Sequence, residues 1–268
     1  VYVLMFNALY YIIHKIFKNK YLDKSFYLTF IIPIVIVIIG NINVNNIVIT
    51  RYNLSNKDIS KDIRLAYVSD VHLSTLDKKK LDNLVKIVND NNYDIFVIDG
   101  DLVDEFSTDR KIKDVIEELG SIKTKYCNYY VEGNHDLLTN KIRSYLTENN
   151  FIVLEDSKVL IDDNYYLVGR RDKKDKLRTN LNSLTYNLDK PVILMDHQPN
   201  IENNMDPRVI VQLSGHTHAG QIWPLGYFLK SGYYPDKRLI VSSGVGVWHN
   251  KVRTSKHCEI VEINIKKF

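Results

Sequence analysis

The chain has 268 residues, 45% hydrophobic and 25% charged, a balance that excludes disordered, collagen-like and low-complexity classes. The net charge is +4, but Lys15, Lys18, Lys20 and Lys24 against Asp23 place +3 of it in residues 1–44. The remaining +1 offers no electrostatic footprint for long nucleic acid. Two cysteines, Cys127 and Cys258, cannot build a disulfide framework or a thiolate zinc site.

Taken from the start, Val1 to Ile13 is almost wholly apolar but too short to span a bilayer; with no initiating Met, it reads as the tail of a truncated membrane helix. A lysine-rich loop follows, from His14 to Lys24. No charge then occurs before Arg51, and Phe26–Ile39 shows no polar face, so the run, extended to Val44, predicts a membrane helix that tolerates Pro33. Basic loops tend to stay cytoplasmic. Residues 1–44 are therefore expected to anchor the chain in the cell membrane, with the body outside the cytoplasm. Residues 45–62, polar from Asn53 to Asp62, read as a linker.

From Ile63 the pattern alternates. Strands are predicted at 63–68, 94–98 and 126–131, with helices at 76–92, 111–119 and 140–149 between and after them. Such spacing implies βαβ units and a largely parallel sheet. Shorter strands follow at 151–154, 158–161, 165–168, 192–195, 209–213, 239–242 and 259–265.

Five polar clusters each follow a predicted strand: Asp70-Val71-His72, Gly100-Asp101-Leu102-Val103-Asp104, Gly133-Asn134-His135-Asp136, Asp196-His197 and Gly215-His216-Thr217-His218. In open α/β sheets ligands bind beyond the carboxyl ends of strands, so five such ends can converge on one site. Each cluster alone is an ordinary loop motif; their joint occurrence in this order is not. Imidazoles, carboxylates and an amide, without thiolate, suit Mn, Fe or Zn. There are too many ligands for one tetrahedral zinc and enough for two metals sharing a carboxylate.

In these five clusters the chain resembles the calcineurin-like metallophosphoesterase superfamily, over about residues 63–268. Ser69–Leu73, Asp196–Pro199, Gly215–Gln221 and Gly244–Trp248 are further similar to its membrane-anchored bacterial branch, which includes UDP-diacylglucosamine pyrophosphatase-like phosphoesterases. The resemblance implies a four-layer α/β/β/α sandwich and two divalent or trivalent metal ions. It implies that Asp70, His72 and His218 hold one metal, that Asp101 bridges, and that Asn134, His197 and His216 hold the other. His135 would protonate the leaving oxygen, with Asp104 orienting its ring and a metal-bridging hydroxide attacking phosphorus. Arg170 and Arg253 offer guanidinium groups for a substrate phosphate. The expected activity is hydrolysis of a phosphodiester, phosphomonoester or pyrophosphate, with a lipid-linked substrate favoured by the anchor. A nucleotide or nucleic-acid phosphodiesterase is the enzyme rival, and a non-catalytic binding module on the same fold is the rival from another class.

Overall fold

The apolar run does enter a helix from Leu28 onward. The computed structural model describes residues 1–17, 25–136, 139–200 and 205–268. Helix α1 (Tyr2–Phe17) and helix α2 (Leu28–Val44) form a hairpin in which the Tyr10 and Phe26 rings meet edge to face at 5.3 Å. Lys18, Lys20, Asp23 and Lys24 of the basic loop lie outside the described residues. Helix α2 has 17 residues, about 25 Å at 1.5 Å per residue, against about 30 Å of hydrocarbon. Among the described residues no helix is long and apolar enough to cross a membrane, which corrects the expected membrane helix. The reason is where the last turn goes. The Arg253 N–H donates to Gly40 O at 2.9 Å, Asn41 Nδ2 donates to Lys251 O at 2.8 Å, and Lys80 Nζ donates to Val44 O at 2.6 Å. The turn expected to lie in lipid therefore lies on protein, while Ile34, Val37, Ile38 and Ile42 of α2 remain exposed.

The expected linker is mostly a strand. β1 (Ile47–Asn56) pairs in parallel along its whole length with the last strand, β12 (Cys258–Lys267). Its polar residues read as linker because one face is solvated: Arg51 reaches Glu262 at 3.4 Å, while Tyr52 and Leu54 pack inward. Between them run β2 (Ile63–Val68), α3 (Lys78–Asp90), β3 (Ile95–Asp99), α4 (Asp109–Leu119), β4 (Asn128–Val131), α5 (Asn140–Glu148) and β5 (Phe151–Val153). Asp77, Thr108 and Thr139 cap α3, α4 and α5, each accepting from an N–H in the first turn. There follow β6 (Ser157–Ile161), β7 (Tyr165–Gly169), α6 (Leu181–Thr185), β8 (Val192–Met195), β9 (Val209–Ser214), β10 (Gly232–Tyr234) and β11 (Leu239–Val241). α6 and β10 were not expected; both are too short to leave a period in the sequence.

Among the described residues the strands form two six-stranded sheets, β1-β12-β2-β3-β4-β5 and β10-β11-β9-β8-β7-β6. Alternation along the buried strands stacks them. Ala66 and Val68 of β2, with Phe96 and Ile98 of β3, face α3, α4 and α5. Leu65, Tyr67 and Val97 point the other way, into a core shared with Leu167, Ile193 and Val211 of the second sheet. Val168, Val192 and Leu194 face Leu181 and Leu184 of α6. The order is helices, sheet, sheet, helix, and the internal strands β2, β3 and β8 are apolar on both faces apart from Arg64 near the start of β2 and Asp99 at the end of β3, as strands covered on both sides must be. Cys127 and Cys258 are both free thiols, on the fringe of the core between the sheets and in β12.

Deleting residues 1–56 should strip β1 from β12 and leave a ten-residue edge exposed. At about 2–4 °C per kcal/mol for a chain of this size, the unfolding midpoint is expected to fall by at least about 5 °C, with self-association visible in light scattering.

Candidate metal centre

The five clusters do follow strands, and the strands deliver them to one place. β2, β3 and β4 bring Asp70, His72, Asp101, Asn134 and His135 from the first sheet; β8 and β9 bring His197, His216 and His218 from the second. Backbone bonds lock the loops together. Asp70 N–H donates to Gly100 O at 3.0 Å, His72 N–H to Asp101 O at 3.0 Å, and Gly215 N–H to His197 O at 2.8 Å. Both Asp70 carboxylate oxygens accept from the His216 N–H at 3.0 Å, which ties one sheet to the other. Gly100 is needed here: its φ is +79°, and a Cβ would sit on the His197 ring.

Two groups of side chains result. Asp70, His72 and His218 have ligand atoms within 4.8 Å of one another, and so do Asp101, His197 and His216. In the first group, His72 Nε2 and His218 Nε2 face each other at 3.0 Å, and His218 Nε2 lies 3.3 Å from Asp70 Oδ1. Asp101 Oδ2 lies between the groups, 3.1 Å from His197 Nε2 and 4.0 Å from His72 Nε2. Asn134 precedes His135, whose N–H donates to Asp101 Oδ1 at 2.8 Å. Five of these residues hold left-handed backbone: Asp70, His72, Asp101, His216 and His218, with φ of 54°, 46°, 52°, 71° and 49°. Such strain clusters where the surrounding structure over-determines a functional geometry.

The donor set fits cations. His197 Nε2 and Asn134 Oδ1 are buried and make no hydrogen bond among the described residues. His197 Nδ1 lies 2.7 Å from Asp99 O; a carbonyl only accepts, so Nδ1 carries the proton and Nε2 is turned toward Asp101. Burial drives the His218 pKa down to about 3, despite Asp70, leaving it a neutral donor. Burial also opposes charge on His197, but Asp101, Asp70 and Asp99 outweigh it and hold its pKa well above the ordinary value. A cation at Nε2 would meet the same demand as that proton.

Several residues lie elsewhere than expected. Asp104 does not reach His135. Its Oδ2 accepts from the Ser74 N–H and hydroxyl at 3.1 and 2.8 Å, and its Oδ1 from the Phe106 N–H at 3.0 Å. It stands 3.9 Å from His72 Nδ1, and Glu105 Oε2 is the carboxylate beside His135, 3.6 Å from Nδ1. Loop donors capture Asp104, so its neighbour is left to turn outward. Arg170 and Arg253, expected to offer guanidinium groups to a phosphate, are both buried and bonded to protein. Arg170 is buried against Asp196, which Arg178 also clamps. Arg253 is fully buried and donates to the carbonyls of Ser243 and Gly246 at 2.8 and 2.7 Å.

Two buried carboxylates have no role in the sequence reading. Asp136 accepts from the N–H groups of Asp101, Val103 and Gly133 at 2.7, 2.7 and 2.8 Å, tying the β3 and β4 loops together. Burial and the neighbouring Asp101 push its pKa up to about 6 in spite of these donors. Asp99, at the end of β3, makes no side-chain hydrogen bond among the described residues, and burial holds its pKa well above the carboxylate range. Their only signal in the sequence is proximity to Asp101 and His135. Around the mouth, Trp248, His249 and Phe106 are exposed, with Trp248 5.6 Å from the His135 ring and His249 between the other two at 4.3 and 5.1 Å.

The family described as calcineurin-like phosphoesterase matches residues 63–220, more than half of the chain and all seven candidate ligands. A Helicobacter pylori protein named as an uncharacterized metallophosphoesterase is 30% identical over 77% of this chain and 60% of its own length. A Danio rerio transmembrane protein with metallophosphoesterase domain is 29% identical over 76% of this chain and 53% of its own. Bacillus subtilis YkoQ, also named as an uncharacterized metallophosphoesterase, is 27% identical over 82% and 91%. The chain thus spans between half and two thirds of the first two. Among solved structures, TT1561 of Thermus thermophilus aligns over 57% of this chain and 81% of its own, at 13% identity and a TM-score of 0.45. Matched across all of its site-bearing strands, the chain belongs to the calcineurin-like phosphoesterase family.

Proposed function

We propose that the chain hydrolyses a phosphodiester, phosphomonoester or pyrophosphate at a dinuclear centre. The observation that carries this reading is Asp101 Oδ2, one carboxylate oxygen directed at a ligand nitrogen of each group. In this reading Asp70, His72 and His218 hold one cation, Asn134, His197 and His216 the other, and Asp101 both; Mn, Fe and Zn suit these donors. Bound there, two cations supply charge for the phosphoryl oxygens and lower the pKa of a water. The chain does the rest. Asp136 and the backbone bonds among the loops keep the ligands fixed. His135, partly exposed beside the ligands, gives its proton to the leaving oxygen, and Glu105 orients its ring.

The exposed apolar side chains of α1 and α2, with those of Trp223, Leu225, Tyr227 and Phe228 in the loop after His218, support a lipid-linked substrate met at a membrane surface. Attachment of residues 1–44 to the cell membrane, with the body outside the cytoplasm, belongs to the same proposal. Protection of the body from protease in intact cells would overturn that orientation.

The tests use the whole chain in detergent, because β1 begins at Ile47. Asp101→Ala should abolish manganese-stimulated hydrolysis of bis-p-nitrophenyl phosphate and p-nitrophenyl phosphate. His135→Ala should lose on the order of 10²–10⁴-fold with phenyl phosphate and far less with p-nitrophenyl phosphate, whose leaving group needs no proton. Equal losses on the two leaving groups would remove His135 as the acid. Turnover that survives exhaustive chelation would overturn the metal reading. Asp136→Ala touches neither substrate nor cation. It leaves three buried N–H groups without an acceptor, at about 1–3 kcal/mol each, and should cost about 3 kcal/mol or more in denaturant unfolding of the metal-free protein.

A further inference from the structure

His218 opens a run of left-handed backbone. His218, Ala219, Gly220 and Gln221 have φ of 49°, 49°, 72° and 44°, and three of the four are not glycine. A chain does not hold this conformation unaided. What holds it is the segment 248–255. Gln221 Nε2 donates to the carbonyls of Trp248, Asn250 and Val252, each at 3.2 Å, and Gln221 Oε1 accepts from the Trp248 N–H at 2.9 Å. The Thr254 and Ser255 N–H groups donate to Gln221 O at 2.9 and 3.1 Å, and Ser255 Oγ donates to Ala219 O at 2.7 Å. From the centre of the segment, the buried Arg253 guanidinium donates to His218 O at 3.3 Å and lies 3.4 Å from His218 Nδ1.

The segment is itself held from outside by the N-terminal hairpin. Its Arg253 N–H donates to Gly40 O, Asn41 Nδ2 bonds Lys251 O, and Asn43 Nδ2 bonds Arg253 O at 3.4 Å. The Tyr2 hydroxyl meets Thr254 Oγ1. Gly40 permits the approach: a Cβ there would come within 2.5 Å of Thr254 Cγ2 and 2.8 Å of Val252 Cγ1. One connected path therefore runs from α2 through residues 248–255 to a single candidate ligand. Among the described residues, no hydrogen bond joins that segment to Asp101, His197 or His216, which are held instead by Asp99, Asp136 and the sheet-end loops.

We infer that Arg253 is a positioning residue for His218, and that α2, through the segment 248–255, sets how tightly the Asp70–His72–His218 group holds its cation. The inference rests on the dinuclear reading above for its metal readout, but not for its backbone readout. Its consequence is that the hairpin is part of the metal site and that any event reseating α2 acts on one of the two cation positions.

The experiment uses the whole chain in detergent, with Gly40→Val, Arg253→Lys and, as the reference for the affected site, His218→Ala. In metal-free protein, Gly40→Val should speed amide exchange across residues 217–222 by about tenfold, with exchange in β3 and β8 unchanged. In Mn²⁺ titrations, Gly40→Val and Arg253→Lys should each weaken one of two sites by about 10–100-fold, the site that His218→Ala removes, and leave the other in place. Unaltered exchange at 217–222 in folded Gly40→Val would overturn the inference, whatever Arg253→Lys does. So would equal weakening of both sites, which is what general damage to the fold would cause. Failure of the unmodified protein to bind Mn²⁺ would overturn the dinuclear reading instead, and the exchange measurement would still decide whether α2 restrains His218.

Discussion

The structure turns on a set of acceptors gathered without enough donors. Asp70, Asp101, His72 and His197 are removed from solvent, and His218 nearly so, with ring nitrogens of His72 and His218 opposed at 3.0 Å. Water cannot satisfy them, and protons satisfy them unevenly: burial empties His218 while the surrounding carboxylates load His197. Cations bound between the groups, as proposed, would answer the whole set at once and offset the cost of burying it.

The rest of the architecture serves that gathering. Two parallel-rich sheets stack face to face, so that strand ends from both open at one edge. Most of the loops then turn sharply through a left-handed residue that is itself a candidate ligand. That strain, about 1–3 kcal/mol for each such residue, is offset by backbone bonds between loops and by Asp136, which binds three N–H groups at once. The guanidinium groups belong to the same scaffold. Arg170 and Arg178 neutralise Asp196 next to His197, and Arg253 spans the carbonyls of Ser243, Gly246 and His218.

The N-terminal segment and the body are continuous in the same sense. β1 extends the first sheet, and α2 ends on the backbone that supports His218. The hairpin exposes much of its apolar surface, yet its last turn is committed to protein. Residues that look like tether in the sequence thus supply an edge strand of the first sheet and a helix end bonded to residues 251–253, behind His218.

The alternation of strands and helices from Ile63 to Phe151 is legible in the residues themselves. Strands apolar on both faces, and amphipathic helices with Asp77, Thr108 and Thr139 at their starts, leave local periods. The identity of the candidate ligands is legible too, since loop residues after strands are free to be chemical. The partners are not. That Glu105 rather than Asp104 stands at His135, that Arg253 is buried behind His218, and that Asp136 ties two loops are pairings between segments distant in the chain or opposite sides of one loop. The same holds for β1, whose half-polar pattern becomes a strand only when β12 arrives from more than two hundred residues away to accept its ladder. Periodicity is written locally; the direction of a side chain in a strained loop, and the mate of an edge strand, are set by what packs against them.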